Sequence, residues 1–318
     1  MKKTAWCFMI LALLCCIIIS GCDRNALNTS PSSEDLTDND STRKTNLLVH
    51  FYDVPETEDK WGDCTYIEFP NGENMLIDIG VKGAGEWITK DLVSQGITHI
   101  DYLVFSHFHA DHVNGYSALI KEISVGQVYS TGYITKQFQW VLDDIKDRNI
   151  PHTVLTAGDS FTVGDVVVDV LWPTRDLVSE MPTLDANDNN CIIDTNNRSF
   201  LLRFSYIKNR LLMTSDLFIE AQNDILEMYD ADELKADVMK VPHHGYDNAI
   251  NRKFIEAVTP KYAVMMGNHV MTRVGYNRYA SVGCKTFATW MNGDVWVSFD
   301  GENIEVWADN EEIHKYYQ

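Results

Sequence analysis

The chain has 318 residues, with 26 Lys and Arg against 46 Asp and Glu, a formal charge of −20, and 45% hydrophobic and 11% aromatic residues. This length allows one large domain or two small ones, and the apolar content excludes a disordered or collagen-like chain. The charge disfavours an extended nucleic-acid-binding face, which relies on Lys and Arg to neutralise phosphates, although an acidic protein still holds anions through a bound metal.

Lys2 and Lys3 precede an unbroken apolar run over 5–19, followed by Ser20, Gly21 and Cys22. That order describes a secretory signal, and the run falls short of the ~20 apolar residues of a comfortable transmembrane helix. Ile19-Ser20-Gly21-Cys22 resembles the lipobox of bacterial lipoproteins, which implies acylation of Cys22 and an outward-facing domain tethered to a membrane in the cell envelope. An uncleaved apolar anchor is the alternative. Residues 23–45 are rich in Asn, Ser, Thr and Asp and contain no aromatic residue, the composition of a flexible tether, so the folded part begins near Asn46.

Short apolar runs bounded by turn residues predict strands over 47–52, 64–69, 74–79, 102–105, 127–130 and 166–172. Further strands are expected over 199–206, 210–214, 238–241, 262–266, 295–299 and 304–307. Helical spacing predicts helices over 85–94, 116–122, 138–148, 218–228 and 249–257. Pro70-Asn71-Gly72 and Asp300-Gly301 mark hairpin turns. The acidic stretch 230–233 reads as a solvated loop, and Arg273, Tyr276, Arg278 and Tyr279 as an aromatic-basic loop, either packed or lining a pocket. Trp290, Trp296 and Trp307 fall on strand patterns and are expected in the core. With no internal repeat and no second linker, residues 46–318 read as a single mixed α/β domain with more than one sheet. Cys64, Cys191 and Cys284 show no CxxC spacing; they permit one disulfide but are expected as buried thiols.

The stretch that carries chemistry is Ser106-His107-Phe108-His109-Ala110-Asp111-His112, between the strand ending at Phe105 and the helix beginning at Tyr116. Three histidines and an aspartate at a strand-to-helix turn aim into one cleft. Imidazole and carboxylate are ligands that zinc, manganese or iron accept. No Gly-x-Ser-x-Gly occurs, so a serine hydrolase triad has no support. His50, His99 and His314 read as structural or surface residues, and His269 as a residue within reach of the cleft from a loop.

The His-x-His-x-Asp-His pattern resembles the hallmark of the metallo-β-lactamase superfamily, and the resemblance extends from about Leu47 to Trp307. It implies an αββα four-layer sandwich and two divalent metal ions, with zinc first and manganese or iron as alternatives. The implied ligands are His107 and His109 for one metal and Asp111, His112 and His244 for the other, with Asp216 of Met213-Thr214-Ser215-Asp216-Leu217 between them. Asp78, in Leu76-Ile77-Asp78-Ile79-Gly80, matches a carboxylate that orients ligands from behind. Val241-Pro242-His243-His244-Gly245, with Asn196-Asn197-Arg198-Ser199 before a strand, looks like the ComEC-type, competence-protein-like subgroup. That subgroup often opens with Asp-Val-Gly-Gln-Gly-Asp; here the opening is stretched to Asp53-Val54, an insertion, and Trp61-Gly62-Asp63-Cys64. His244 is preferred to His243 as ligand, leaving His243 behind the ligands or facing substrate. Many superfamily members place another metal-binding histidine before the strand that leads to Asp216. This chain has none between His152 and His243, which leaves the first metal weakly held or completed by water.

Two adjacent metals lower the pKa of bound water toward ~7 and clamp the attacking and leaving oxygens, which suits ester and phosphoester hydrolysis. The resemblance therefore implies a metal-dependent hydrolase with Asp111, His243 and His244 at the chemistry, phosphodiesters as the leading substrate class, and a small or cationic molecule before long DNA. A true β-lactamase is disfavoured by the absent middle histidine, and a flavodiiron-type oxidoreductase by His109, where Glu is usual. A non-catalytic binding lipoprotein is the alternative of a different class, and it predicts eroded ligands.

Overall fold

The computed structural model describes residues 46–54, 62–180, 182, 188–267 and 269–310. The expected signal segment with Cys22, the tether at 23–45 and His314 lie outside the described residues, as do the side chains of His269 and Arg273.

The strands in chain order are β1 (Leu47–Phe51), β2 (Thr65–Glu68), β3 (Asn74–Ile77), β4 (His99–Phe105), β5 (Ser124–Ser130), β6 (His152–Val154), β7 (Ser160–Val163) and β8 (Val166–Trp172). They continue with β9 (Leu201–Tyr206), β10 (Asn209–Met213), β11 (Val238–Lys240), β12 (Tyr262–Met265), β13 (Lys285–Ala288), β14 (Val295–Phe299) and β15 (Ile304–Ala308). One sheet runs β15-β14-β1-β2-β3-β4-β5-β6 and the other β13-β12-β11-β10-β9-β8-β7. Alternation sets which face is buried. In β2, Thr65 and Ile67 are buried while Tyr66 and Glu68 are only partly so, as a half-buried antiparallel strand requires.

Three apolar clusters define four layers. One lies between the sheets, joining Val49, Phe51 and Ile67 with Val168, Phe204 and Val238. A second packs the outer face of the first sheet, through Leu76 and Leu103, against Ile88 and Leu92 of the helix Lys82–Ser94 and Leu119 of Tyr116–Glu122. A third packs Leu212 and Met239 of the other sheet against Ala221 and Ile225 of Ile219–Met228 and Phe254 of Arg252–Val258. This is the α/β sandwich expected from the resemblance. Both expected hairpins form: Gly72 N–H donates to Phe69 O, and β14 pairs antiparallel with β15 across Asp300-Gly301.

The structure departs from the pattern reading at several elements, the unexpected helix Asn189–Asn197 among them. Strands β6, β7 and β13 were not expected; each is a sheet edge of three or four residues with polar residues among its apolar ones, too short for a periodic signal. The aromatic-basic segment is a helix, His269–Ser281, whose Tyr276 and Tyr279 are buried against the second sheet, so neither is free to line a pocket. The acidic loop is a helical turn, Ala231–Leu234, closed by a capping box between Asp230 and Glu233, which turns its carboxylates into caps. Trp290 lies in the turn Thr289–Asn292, while Trp296 and Trp307 are half-buried and stack 6.2 Å apart instead of entering the core.

No helix among the described residues is long and apolar enough to cross a membrane. Cys64, Cys191 and Cys284 are buried free thiols, as expected.

The sheets set the position of the cleft. β3, β4 and β5 run parallel, as do β10, β11 and β12. Their carboxyl ends deliver Asp78, the Ser106–His112 segment, Asp216 and the His243-His244 pair. Crevices beyond parallel strand ends are the usual ligand sites of α/β sheets.

Candidate metal centre

The turns that carry these side chains are strained. Seven non-glycine residues among those described have a left-handed φ, and four of them are Asp78 (59°), Ser215 (45°), His243 (43°) and His244 (55°). Such conformations cost about 1–3 kcal/mol each and persist where surrounding structure over-determines them. Here hydrogen bonds supply that determination. Asp78 N–H donates to Val104 O, and His243 N–H donates to Ser215 O at 3.0 Å. His109 caps the short helix Ala110–Val113, so Asp111 and His112 turn into the cleft from its first turn.

All six implied metal ligands converge. Oδ2 of Asp216 is the hub, with Nε2 of His112 at 3.2 Å, His244 at 3.3 Å, His107 at 4.0 Å and His243 at 4.0 Å. Asp111 Oδ2 lies 3.6 Å from Nε2 of both His112 and His244. His107 Nε2 and His109 Nδ1 face each other at 2.9 Å. Asp78 acts from behind, as expected: Oδ2 takes His112 Nδ1 at 2.8 Å, and Oδ1 accepts the Ser106 N–H. That contact fixes the His112 tautomer and leaves Nε2 for the cleft.

Two residues here were absent from the expected set. Asp63 Oδ1 lies 3.1 Å from His244 Nδ1, which also meets Met266 O at 3.0 Å, so Asp63 does for His244 what Asp78 does for His112. Lys240 is 3% exposed; its Nζ sits 2.7 Å from Asp63, 3.7 Å from Asp216 Oδ1, and donates to Ser215 O. Both had a sequence signal. Asp63 ends the stretched opening motif, and Lys240 is a charge inside an apolar strand run directly before Val241-Pro242-His243-His244. Gly62 seats this opening against the histidine motif: a Cβ there would fall 2.0 Å from Asp111 O, the atom to which Asp63 N–H donates. The Asn196–Ser199 stretch also closes on the site, since Ser199 Oγ accepts the Asp216 N–H and Phe200 N–H donates to Ser106 O. His50 instead pairs with Asp294, and His99 with Ser124.

The electrostatics divide the histidines into two sets. Burial lowers His112 and His244, but the surrounding carboxylates outweigh it and raise both imidazoles well above the usual histidine range. For His112 these are Asp216, Asp111 and Asp78; for His244, Asp63 and Asp216 lead. Burial, with neighbouring imidazoles adding, pushes His107 well down; it takes His109 to about 4 and also lowers His243. Burial would raise Asp216, yet His244 and His112 hold it well below the usual carboxylate range. Asp63 is held down by Lys240 and then His244 against the same burial.

A metal fits this donor set. One donor atom each of Asp63, His112, Asp216 and His244 lies within 4.8 Å of the others. Buried Asp216 Oδ1 and His109 Nε2 make no hydrogen bond among the described residues. Nitrogen and carboxylate oxygen without sulfur suit zinc, manganese or iron.

A sequence profile of the Metallo-beta-lactamase superfamily matches residues 62–189. ComE operon protein 3 of Bacillus subtilis is 25% identical over 179 residues, 55% of this chain and 21% of that protein. Competence protein ComA of Neisseria gonorrhoeae is 24% identical over 250 residues, 77% of this chain and 32% of that protein. This chain thus spans between a fifth and a third of these relatives. Among solved structures, the metallo-beta-lactamase fold protein YhfI of Bacillus subtilis superposes with a TM-score of 0.52 at 11% identity, covering 77% of this chain and 96% of that one, a likeness of fold. The chain carries a metallo-β-lactamase superfamily domain, and its sequence relatives align it with the competence-protein-like members.

Proposed function

We propose that the protein is a metal-dependent hydrolase of phosphoesters, acting on phosphodiesters at a binuclear site. The observation that carries this reading is the single Asp216 oxygen ringed by imidazole nitrogens, a carboxylate placed to be shared. His107, His109 and Asp216 would hold one ion, and Asp111, His112, His244 and Asp216 the other. A divalent pair, with zinc the first candidate, would acidify water and neutralise charge building on the ester oxygens.

The chain's own groups do the rest. Asp78 and Asp63 hold the Nε2 atoms of His112 and His244 toward the cleft. Asp111, with 18% of its side chain exposed against 2% for Asp216, is the carboxylate that incoming water reaches, and it orients that water by accepting its hydrogen bond. The net charge of −20 favours a small or cationic substrate over extended nucleic acid.

Elemental analysis of the full chain, purified in detergent, tests this beside turnover of bis-p-nitrophenyl phosphate. About two divalent ions per chain are expected, with turnover lost in His109→Ala and Asp216→Ala. Negligible metal and no turnover, with the variants matching wild type, would overturn the hydrolase reading in favour of a binding protein. Anchoring in the envelope through Cys22 belongs to the same proposal: labelled palmitate should enter wild type and not Cys22→Ala.

A further inference from the structure

We propose that His243 is a third imidazole of the position held by His107 and His109, so that adjacent residues of one loop serve the two halves of the centre. The inference rests on the binuclear reading above. Without His243 the two positions are unequal: Asp111, His112 and His244 stand on one side of Asp216, and only His107 and His109 on the other.

Four observations assign His243 to the poorer side. Its Nε2 lies 4.0 Å from Asp216 Oδ2, the same distance from the same oxygen as His107 Nε2. Its Nδ1 lies 3.1 Å from Asn248 Oδ1. The amide oxygen accepts the Nδ1 proton and leaves the Nε2 lone pair facing the cleft, as Asp78 does for His112. The ring is held between Phe218 and Tyr246, with both centroids at 4.7 Å. Lastly, His243, His244 and Gly245 all have left-handed φ, at 43°, 55° and 82°. In an extended segment consecutive side chains point to opposite sides. This left-handed run instead lets neighbouring imidazoles approach one carboxylate oxygen, with ring centroids 5.6 Å apart. The absence of a histidine between His152 and His243 then leaves no vacancy in the donor set, because the late motif supplies two imidazoles instead of one.

The test is titration calorimetry with Zn²⁺ alone on the metal-stripped full chain, with bound metal counted by elemental analysis. Wild type should bind two ions. His243→Ala should lose or weaken one site by at least tenfold and leave the other unchanged, His107→Ala should affect the same site, and the double variant should spare the second site. Asn248→Ala, at an exposed position that folding tolerates, should weaken that site in the same direction by a smaller factor, as loss of an outer partner does. This variant carries the test if His243→Ala fails to fold. If His243→Ala and Asn248→Ala keep both sites at wild-type affinity while turnover falls, His243 meets substrate and the inference is overturned. If wild type itself binds no Zn²⁺, the binuclear reading fails first.

Discussion

Lys240 and Asp63 form a fully buried ion pair at 2.7 Å, and the same ammonium faces Asp216. Lys240→Met would take from buried Asp63 its leading cation and leave His244 as the next, and removing one partner of a buried pair costs about 3–5 kcal/mol. The double variant Asp63→Asn/Lys240→Met should cost less than the two single changes summed, which denaturant unfolding of the metal-free protein checks; additive costs would show that the pair is uncoupled. The sign of the pH effect follows from the lowered Asp63 carboxyl. Its contribution is present above the unfolded carboxylate pKa of about 3.9 and is lost as pH falls through the lower folded value. At this scale the candidate ligands were legible, because His-x-His-x-Asp-His is dense enough to stand out. Asp63 and Lys240 were marked only by a motif end and by a charge in an apolar run, signals that do not name a partner far away in sequence.

At the scale of elements, the opening loop is held by Gly62. Its φ of 108° and the absence of a Cβ let the backbone press on the Asp111 carbonyl. Gly62→Ala cannot be absorbed by a rotamer change, because the atom it meets is backbone. It should shift Asp63 away from His244 and weaken Zn²⁺ binding by about 10–100-fold, the usual effect of disturbing an outer partner, as calorimetry would read. Interior strands were legible from apolar runs, and β1, β8 and β14 begin as expected. The edge strands β6, β7 and β13 were not. Neither was the helix His269–Ser281: Arg and Asn among its tyrosines obscure the period, and burial of Tyr276 and Tyr279 against the second sheet decides it.

For the whole molecule, the raised His112 and His244 make the metal-free centre a proton store. Where those imidazoles are protonated, a metal must displace their protons, so affinity for Zn²⁺ should rise with pH by about tenfold per unit for each proton displaced. The rise should level off once pH passes the raised pKa values. Calorimetry in buffers of differing ionisation enthalpy counts the protons released; a pH-independent affinity would mean that these histidines are already neutral. The two-sheet core is what holds the store together. Phe204, fully buried between the sheets, is expected to cost about 3–5 kcal/mol when cut to Ala, measured by unfolding, and to weaken both halves of the centre together.

Residue order alone determined the superfamily, the α/β class, the interior strands and the six candidate ligands, because periodicity and clustered histidines are local signals. Tertiary structure decided which atoms face one another. Asp63 met His244, Lys240 met Asp63, and His243 reached the same oxygen as His107 only when the strand ends of both sheets closed on one cleft. Those contacts bring Asp63 and His107 of the first half of the chain to Lys240, His243 and His244 of the second, the two histidines on a strained, left-handed turn. The burial that gives them their strength exists only after the sheets pack.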